Sequence, residues 1–568
     1  MKFLKYRNLI LFIISGIAAI YLGFFQVSFI DKSYLYVKNI YYWLGINLLL
    51  FGFTLFEIVK KSKFSFIVFF KKHRFALIIS SILILMSFYN CKPDFRIFAD
   101  EMVLLSTSQN LYNSNECYAD MSSINHLDGS KEILSKLIDK RPALFPFLTC
   151  VVHSLIGYSP RNPFIINYIS GILILFLFYL LISIKYGRFY GILGLICLYI
   201  HPLFIWYVNS AGFDILNLLC SLIIFLLCWN FFKTPEVINA EVILLFLPLL
   251  AQSRYESSLI VFIALPIIFY YLPRSKYSEF SYRLWIFPLL LLPIAWLKSI
   301  TNFVDKSEGM DSTNPFAIKY FIENFKQAVV FFFSGIEEYG VIPIISILAV
   351  LGFLLFLTKI KEFRLNKICI MSLFVACFYL VHIIVKFSFC LGDITVVLAN
   401  RHALILLPII VYLAIKSLIY LRIKYKLPQK YYLFGILLLF FTYNLEFGKN
   451  YDIKQMPILR EFKYLKNYLE YEHKIKSNYI LIYSKPVLFT TLGYNSINFK
   501  VLKKYKDNLI DYCKQRNCQY FLAVQYMVEK TEKPFIGEDL PDGFITEKIL
   551  EQKLEDGHYL KISKCFPE

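Results

Sequence analysis

The chain has 568 residues, of which 58% are hydrophobic, and a formal net charge of +20. Its mean hydropathy of +0.57 excludes an ordinary soluble globular protein and predicts a membrane protein. The positive residues lie mainly between apolar runs rather than in one patch with stacking aromatic side chains. This distribution follows the positive-inside rule and argues against a nucleic-acid partner.

Apolar runs of about 20 residues, long enough to cross a bilayer, recur from Leu9 to Asn444. Because backbone groups in lipid must be hydrogen-bonded within the segment, we predict an α-helical polytopic membrane protein rather than a β-barrel. The first two spans are predicted at Leu9 to Ile30 and Ile40 to Val59. With the basic loop that follows, they form residues 1–74, and we expect the N-terminus in the cytoplasm.

The third predicted span, Phe75 to Phe88, leads into a polar outer loop at residues 91–142, which begins close to the adjacent acids Asp100 and Glu101. Charges near the hydrocarbon boundary are costly, which favours a functional interpretation. The structural alternative is that both acids cap a helix beginning near Met102. Adjacent helical residues point about 100° apart, so one of the two is expected to face a reaction centre.

Loop charges also set the later topology. If the run Ala143 to Gly157 lies in the interface, the remaining basic loops are cytoplasmic, the protein has about thirteen spans and the C-terminal domain is extracytoplasmic. Several polar residues then lie near the outer ends of spans: His201, Asp214, Arg254, Glu256, Lys386, Arg401 and His402. Arg254 and Glu256 interrupt an apolar stretch too long for one crossing, which predicts two short helices meeting there. Asp214 is predicted to cap the next helix.

The composition becomes charged and mixed after residue 445, and residues 446–568 are predicted to form a small α/β domain. The expected elements are a helix at Leu459–Tyr471, a strand at Tyr479–Tyr483, a helix at Tyr505–Gln515, and strands at Tyr520–Gln525 and Tyr559–Ser563. A disulfide among Cys513, Cys518 and Cys565 stays open at this point.

Four segments, in this order, resemble the polytopic glycosyltransferases of the GT-C fold, which include protein mannosyltransferases and the aminoarabinose transferases of lipid A. The first opens the outer loop with the acidic pair, the second contains a Pro-bearing juxtamembrane helix, and the last two each carry an arginine. The segments are FADEMVLLSTSQNLY (Phe98 to Tyr112), KRPALFPFLTCVVHSLIGYSPRNPFIINYISGI (Lys140 to Ile172), LLAQSRYESSLIVF (Leu249 to Phe262) and ANRHALILLPIIVYL (Ala399 to Leu413).

The resemblance implies a catalytic core at residues 75–445 that transfers a sugar from a polyprenyl-phosphate donor. The acceptor is a hydroxyl of a lipid, glycan or protein, attacked with inversion on the extracytoplasmic face of the plasma membrane. Asp100 is the predicted base and Glu101 its neighbour, with the reverse assignment open.

Basic residues are the candidates for binding the substrate. Arginine suits bidentate phosphate contacts. The structural alternatives are a pair with Glu256 or a lipid-headgroup contact for Arg254, and an interfacial anchor for Arg401. For Arg141 they are a positioning role in the loop or a solvated charge before Pro142. The candidates are Arg254, Arg401, His402, Arg141 and Lys386.

No cofactor is predicted. A divalent metal near His126, Asp128, Glu116 and Asp120 is conceivable, but no diagnostic spacing assigns it. The sequence lacks a P-loop, a Rossmann fingerprint and HExxH.

Two alternative functions fit the sequence less well. A transporter or flippase is disfavoured because the ionisable residues gather at one face rather than mid-membrane, and a polysaccharide polymerase or ligase is disfavoured by the early acidic pair.

Overall fold

A computed structural model describes most of the chain. The described residues are 6–25, 28–62, 65–125, 131–307, 316–336, 340–358, 367–396, 399–426, 457–472, 479–516, 520–527, 537–554 and 559–568, together with 428, 429, 431, 435, 438, 439 and 534. His126, Asp128, Cys518 and the predicted domain boundary at residues 445–446 lie outside them. The chain divides into two compact units.

The first unit is helical and comprises Met1–Asp94, Lys140–Phe145 and Phe164–Lys454. Its α-helices begin and end as follows: Arg7–Ile20, Phe29–Lys61, Phe66–Asn90, Asn162–Tyr186, Arg188–Tyr199, Pro202–Val208, Asp214–Lys233, Val237–Ser253, Ile260–Tyr271, Arg283–Leu290, Leu292–Ser307, Ile318–Phe333, Pro343–Thr358, Lys367–Phe387 and Leu407–Tyr425. The second and third predicted spans fall within the Phe29–Lys61 and Phe66–Asn90 helices. The first begins in the Arg7–Ile20 helix, which a π-helical turn extends to Phe25, but its last residue, Ile30, belongs to the Phe29–Lys61 helix.

The length and composition of the helices identify a multi-pass membrane protein. Within the described residues, six helices are long and apolar enough to cross a bilayer, or seven if the bent pair Arg188–Tyr199 and Pro202–Val208 forms one span. The expected thirteen spans are therefore not confirmed. Five further apolar helices have 10–17 residues in the parts of the chain that the structure describes. One of them, Val237–Ser253, ends where Arg254 adopts extended backbone.

The second unit is an α/β unit comprising Phe95–Asp139, Pro146–Pro163 and Gln455–Glu568. Its seven-stranded sheet has the order β2-β1-β4-β3-β5-β7-β6. The strands are β1 (Ala119–Asn125), β2 (Lys131–Leu137), β3 (Tyr479–Ile482), β4 (Ser496–Ile497), β5 (Tyr520–Met527), β6 (Phe544–Lys553) and β7 (Tyr559–Pro567). β3 pairs in parallel with both β4 and β5, and the outer pairs are antiparallel.

Helices cover both faces of this sheet. The side chains of the central strands point alternately to the two faces and are buried on both. In β3, Tyr479 and Leu481 belong to one apolar cluster and Ile480 and Ile482 to the other. This two-residue period is what a strand buried on both faces requires. The helices of this unit are Phe98–Ser114, Leu144–Ile156, Pro457–Glu472, Val487–Thr490, Phe499–Lys504 and Lys506–Arg516.

The C-terminal elements predicted from the sequence are all present, with shifted ends: the two helices are Pro457–Glu472 and Lys506–Arg516, and the three strands are β3, β5 and β7. Strands β4 and β6 were not predicted, and neither was the joining of β1 and β2 of the outer loop to the same sheet. Cys513 and Cys565 are both buried, and no disulfide joins these two residues.

Candidate functional site

In the helical unit, an α-helix is interrupted at Arg254, and the candidate site is built around this residue. The Val237–Ser253 helix stops because Arg254 adopts extended backbone, with φ −161° and ψ 139°. A 3-10 turn at Tyr255–Leu259 and the Ile260–Tyr271 helix follow. The prediction of two short helices meeting at this point is confirmed. The break directs the Arg254 side chain into the protein, where it is only 2% exposed.

Arg254 is held by three acceptors. Its Nε donates to Glu256 Oε2 at 2.9 Å, Nη1 forms an ion pair with Asp214 Oδ1, and Nη2 lies 2.9 Å from His402 Nδ1. Both carboxylates are buried. The predicted pair with Glu256 is therefore present. Asp214 lies in the first turn of its helix, but its side chain pairs with Arg254, whereas the sequence predicted a cap.

Hydrogen bonds brace the backbone on both sides of the break. The side-chain oxygen of Asn217, one turn after Asp214, accepts from Ser253 Oγ at 3.0 Å and from Ser257 Oγ at 2.9 Å. One buried amide thus ties the end of one helix and the following turn to the Asp214–Lys233 helix. All three side chains are buried, and together they fix the position from which Arg254 projects.

Arg401, His402 and Lys386 approach the same place from two other elements. The guanidinium groups of Arg254 and Arg401 lie 5.3 Å and 5.9 Å from the centre of the Phe213 ring. Lys386 Nζ, on a side chain that is 6% exposed, donates to the His402 carbonyl at 3.4 Å. We call Asp214, Arg254, Glu256, Lys386, Arg401 and His402 the Arg254 cluster.

Two anchors position this cluster further. The Tyr207 hydroxyl donates to Asn400 Oδ1 at 2.5 Å, immediately before Arg401. The Ala143 amide donates to Gln252 Oε1 at 3.2 Å, which ties the segment after Arg141 to the end of the Val237–Ser253 helix. The structure therefore brings together four of the five residues that the sequence indicated for substrate binding, namely Arg254, Arg401, His402 and Lys386. Arg141 lies two residues before Ala143, whose amide bonds to Gln252.

Asp100 and Glu101 belong to the α/β unit and lie in the first turn of the Phe98–Ser114 helix. Glu101 is 2% exposed, and its carboxylate accepts from the backbone N–H groups of Arg96 at 2.9 Å and Ile97 at 3.4 Å. It therefore satisfies amides at the start of its own helix. Asp100 is partly exposed. The structural alternative of a capping acid thus holds for Glu101.

Asp120 of the outer loop and His153 of the Leu144–Ile156 helix both make contacts within the α/β unit. Buried Asp120 accepts from Asn110 Nδ2 at 2.8 Å and pairs with Lys131. His153 lies between Ser108 Oγ at 3.1 Å and Asn162 Nδ2 at 2.7 Å. Burial lowers the pKa of His153 to about 4, so the imidazole is neutral at physiological pH. It is a hydrogen-bonded structural histidine.

The residue types that bind metal ions do not gather in one place. In the parts of the chain that the structure describes, no group of three or more His, Cys, Asp or Glu side chains is arranged to bind a metal ion. His126 and Asp128, which suggested a metal in the sequence, lie outside those parts. The metal assignment therefore stays open.

The arrangement around Arg254 has a clear electrostatic character. Three cationic side chains and two carboxylates are buried or half-buried together, so the cluster holds one more cation than carboxylate. Opposite charges make burial tolerable, and the excess positive charge favours an anion. In a medium of low dielectric constant, hydrogen bonds to a phosphate group would be strong.

Comparison with known proteins identifies the fold. Neither a family model nor a curated protein matches the sequence. Among solved structures, the chain is similar to ArnT, the lipid A aminoarabinose transferase, from Cupriavidus metallidurans bound to undecaprenyl phosphate, with a TM-score of 0.51 and 10% identity over 87% of this chain and 98% of that chain. ArnT is a GT-C fold glycosyltransferase. This chain has the GT-C fold.

Two further similarities were found. The apo state of the same ArnT gives a TM-score of 0.49 at 11% identity, over 79% of this chain and 92% of that chain. The oligosaccharyltransferase of Archaeoglobus fulgidus, tethered to an acceptor peptide containing the NVT sequon, gives a TM-score of 0.43 at 10% identity. That similarity covers 80% of this chain and 69% of that chain. The similarity to ArnT bound to undecaprenyl phosphate confirms the GT-C fold that was expected from the order of the sequence segments.

Several residues around the cluster were not predicted from the sequence. Asn217, Ser253 and Ser257 are common residue types without a diagnostic spacing, and their joint role depends on two helices meeting. His382 lies in the Lys367–Phe387 helix and was also missed. A histidine four residues before Lys386 places two ionisable groups on one helix face. That spacing was the available signal.

Proposed function

We propose that this protein is a membrane glycosyltransferase that moves a sugar from a polyprenyl-phosphate-linked donor to a hydroxyl acceptor. The acceptor belongs to a cell-envelope lipid, glycan or protein on the extracytoplasmic face. The proposal is supported by the GT-C fold together with the chemistry of the buried Arg254 cluster. The ArnT structure that this chain resembles is bound to undecaprenyl phosphate, which agrees with a lipid phosphate here.

The cluster is the observation that carries the proposal. Burying several charged groups among apolar helices is costly, and such groups in membrane proteins mark functional sites. Arginines present planar, permanently charged donors that match phosphate oxygens. We propose that Arg401, Lys386 and Arg141 contribute to binding the phosphate. Arg254, which already holds Asp214, Glu256 and His402, organises the cluster.

In the α/β unit, we propose Asp100 as the general base. Glu101 is the weaker candidate because its carboxylate is buried and already accepts two backbone N–H groups. Asp100 is the more exposed of the pair. A base must reach the proton of its substrate, so exposure favours Asp100.

The reaction that we propose is one displacement with inversion. The acceptor oxygen forms a bond to the anomeric carbon, and the bond from that carbon to the phosphate oxygen breaks. The acceptor proton passes to the Asp100 carboxylate, and the electron pair leaves with the polyprenyl phosphate. Cationic groups stabilise the charge that develops on that phosphate. The reaction needs neither a covalent sugar–enzyme intermediate nor a redox partner.

The test is a complementation experiment read by mass spectrometry of glycolipids, glycans and glycoproteins. A strain lacking the chain should lose one sugar residue from one class of molecule, and the parent chain should restore it. Asp100→Asn should be produced at parental levels but reduce transfer at least about 100-fold, since a general base contributes about 10²–10⁴ in rate.

Glu101→Gln is the matched control, because it alters the neighbouring carboxylate and keeps an acceptor oxygen for the helix start. It should restore the sugar. Loss of activity in Glu101→Gln alone would reverse the assignment, and full activity in both variants would exclude both as the base. A strain with unchanged surface sugars in every class would contradict the proposed function itself.

A further inference from the structure

His382 is a buried histidine whose ring nitrogens play no part in the contacts described so far. Its relative exposure is 0%, and neither ring nitrogen has a hydrogen-bond partner among the described residues. One face of the ring packs near Phe378, at a centroid distance of 4.7 Å. A neutral imidazole always carries one donor and one acceptor. Leaving both without a partner in a protein interior is unfavourable.

The surroundings of His382 place it beside the Arg254 cluster. It precedes Lys386 by four residues in the Lys367–Phe387 helix, so both side chains lie on one helix face. It also interacts electrostatically with Arg254 and Glu256. Lys386 already donates to the carbonyl of His402. His382 therefore adds a hydrogen-bonding group next to a cluster with excess positive charge.

A buried polar group without a protein partner is explained when a ligand supplies the missing partner. We propose that His382 is a further ligand-contacting residue, whose ring N–H donates to a phosphate oxygen of the lipid-linked donor. This inference rests on the proposed function, because it takes the Arg254 cluster as the phosphate site. The ring N–H needs an acceptor, and the excess positive charge of the Arg254 cluster favours an anionic one. The phosphodiester group that joins the sugar to the lipid in the donor supplies such an acceptor.

The decisive variant is His382→Phe in the full-length protein. Phenylalanine keeps a buried ring and removes both unpartnered nitrogens, so thermal stability without ligand should rise. Affinity for undecaprenyl phosphate in detergent should fall about tenfold or more, because a hydrogen bond to a charged group is lost. Undecaprenol, which has the same chain and no phosphate, should bind the variant and the parent equally. His382→Gln, which keeps an N–H donor, should recover most of the affinity.

Ser346→Ala is the matched control. Ser346 is 3% exposed, and its Oγ has no partner among the described residues, so this substitution also removes an unpartnered buried polar atom. It should raise stability and leave lipid-phosphate affinity unchanged. Inorganic phosphate is included as a probe, and competition by phosphate alone would show that the site recognises the head group without the lipid.

Two results would overturn the inference in different ways. If the parent binds undecaprenyl phosphate and His382→Phe binds it equally well, His382 is a structural residue and the proposed function stands. If the parent binds neither undecaprenyl phosphate nor inorganic phosphate, both the role of His382 and the phosphate site fall together.

Discussion

Arg254 has a structural role, the pairing of two buried carboxylates, that can be tested separately from ligand binding. Its guanidinium is the shared partner of Asp214 and Glu256, which are 4% and 3% exposed. Removing one member of a buried charge network leaves the others without compensation, whereas removing all charges is often tolerated. The interaction of Arg254 with both carboxylates therefore makes a strong prediction for stability.

Arg254→Met should lower the free energy of unfolding by about 3–5 kcal/mol, because two buried carboxylates lose their common cation. The measurement is thermal unfolding of the purified protein in detergent, followed by tryptophan fluorescence. The triple variant Arg254→Met, Asp214→Asn, Glu256→Gln is the control and should recover much of the loss. An unchanged melting temperature in Arg254→Met would mean that the network contributes little to the fold.

Glu101 illustrates how the contacts of a residue visible in the sequence depend on the fold. The sequence places two acids side by side and cannot say which carboxylate turns back to its own helix. The hydrogen bonds from Arg96 and Ile97 depend on the backbone path before the helix, which is a property of the fold. The same limit applies to Asp214, whose partner lies forty residues away.

At the scale of elements, close packing of helices depends on small residues. The Pro343–Thr358 and Leu407–Tyr425 helices approach each other at Gly352, where an added Cβ would overlap the Leu413 carbonyl and lie 2.9 Å from Ser417 Oγ. Ser417 Oγ donates to the Leu348 carbonyl at 2.6 Å in the same contact. Glycine is needed here for space.

Gly352→Ala should therefore destabilise the protein by about 1–3 kcal/mol through overpacking, measured as a lower melting temperature in detergent. Gly45→Ala offers a matched comparison in another helix, where an added methyl group meets no atom within 4 Å among the described residues. That variant should be neutral or more stable by about 0.5–1 kcal/mol, since alanine favours a helix over glycine. Equal effects at both positions would argue against the close approach.

The broken helix at Arg254 shows which element boundaries a sequence reveals. An arginine and a glutamate inside an apolar run are visible in one dimension and predicted the break. The position of the outer-loop strands was not visible, because β1 and β2 have mixed composition and join a sheet whose central strands begin more than 300 residues later. Long-range strand pairing leaves a weak local signal.

At the scale of the whole molecule, the multi-pass membrane character is established and the orientation is a prediction. The basic residues after the second span indicate a cytoplasmic loop, and the α/β unit is expected outside. A single introduced cysteine can show by its labelling on which side of the membrane a residue lies. Ser62 and Gln552 are both exposed in the structure, one after the Phe29–Lys61 helix and one in β6.

Gln552→Cys should react with a membrane-impermeant maleimide in intact cells, above the background of the parent chain. Ser62→Cys should react only after the membrane is made permeable, because the cytoplasmic loop is shielded. The reverse pattern would invert the topology. Labelling at both positions in intact cells would contradict the assignment of opposite sides.

The amino-acid sequence by itself determined the class of this protein, because the length and spacing of apolar runs are set by bilayer thickness and need no tertiary information. The order of its acidic and arginine-bearing segments was also enough to predict the GT-C fold. Only the tertiary structure decided which charges neutralise each other. Asp214, Arg254, Lys386 and His402 lie in different helices and turns, and the energy of buried charges depends on distances that the folded chain alone sets.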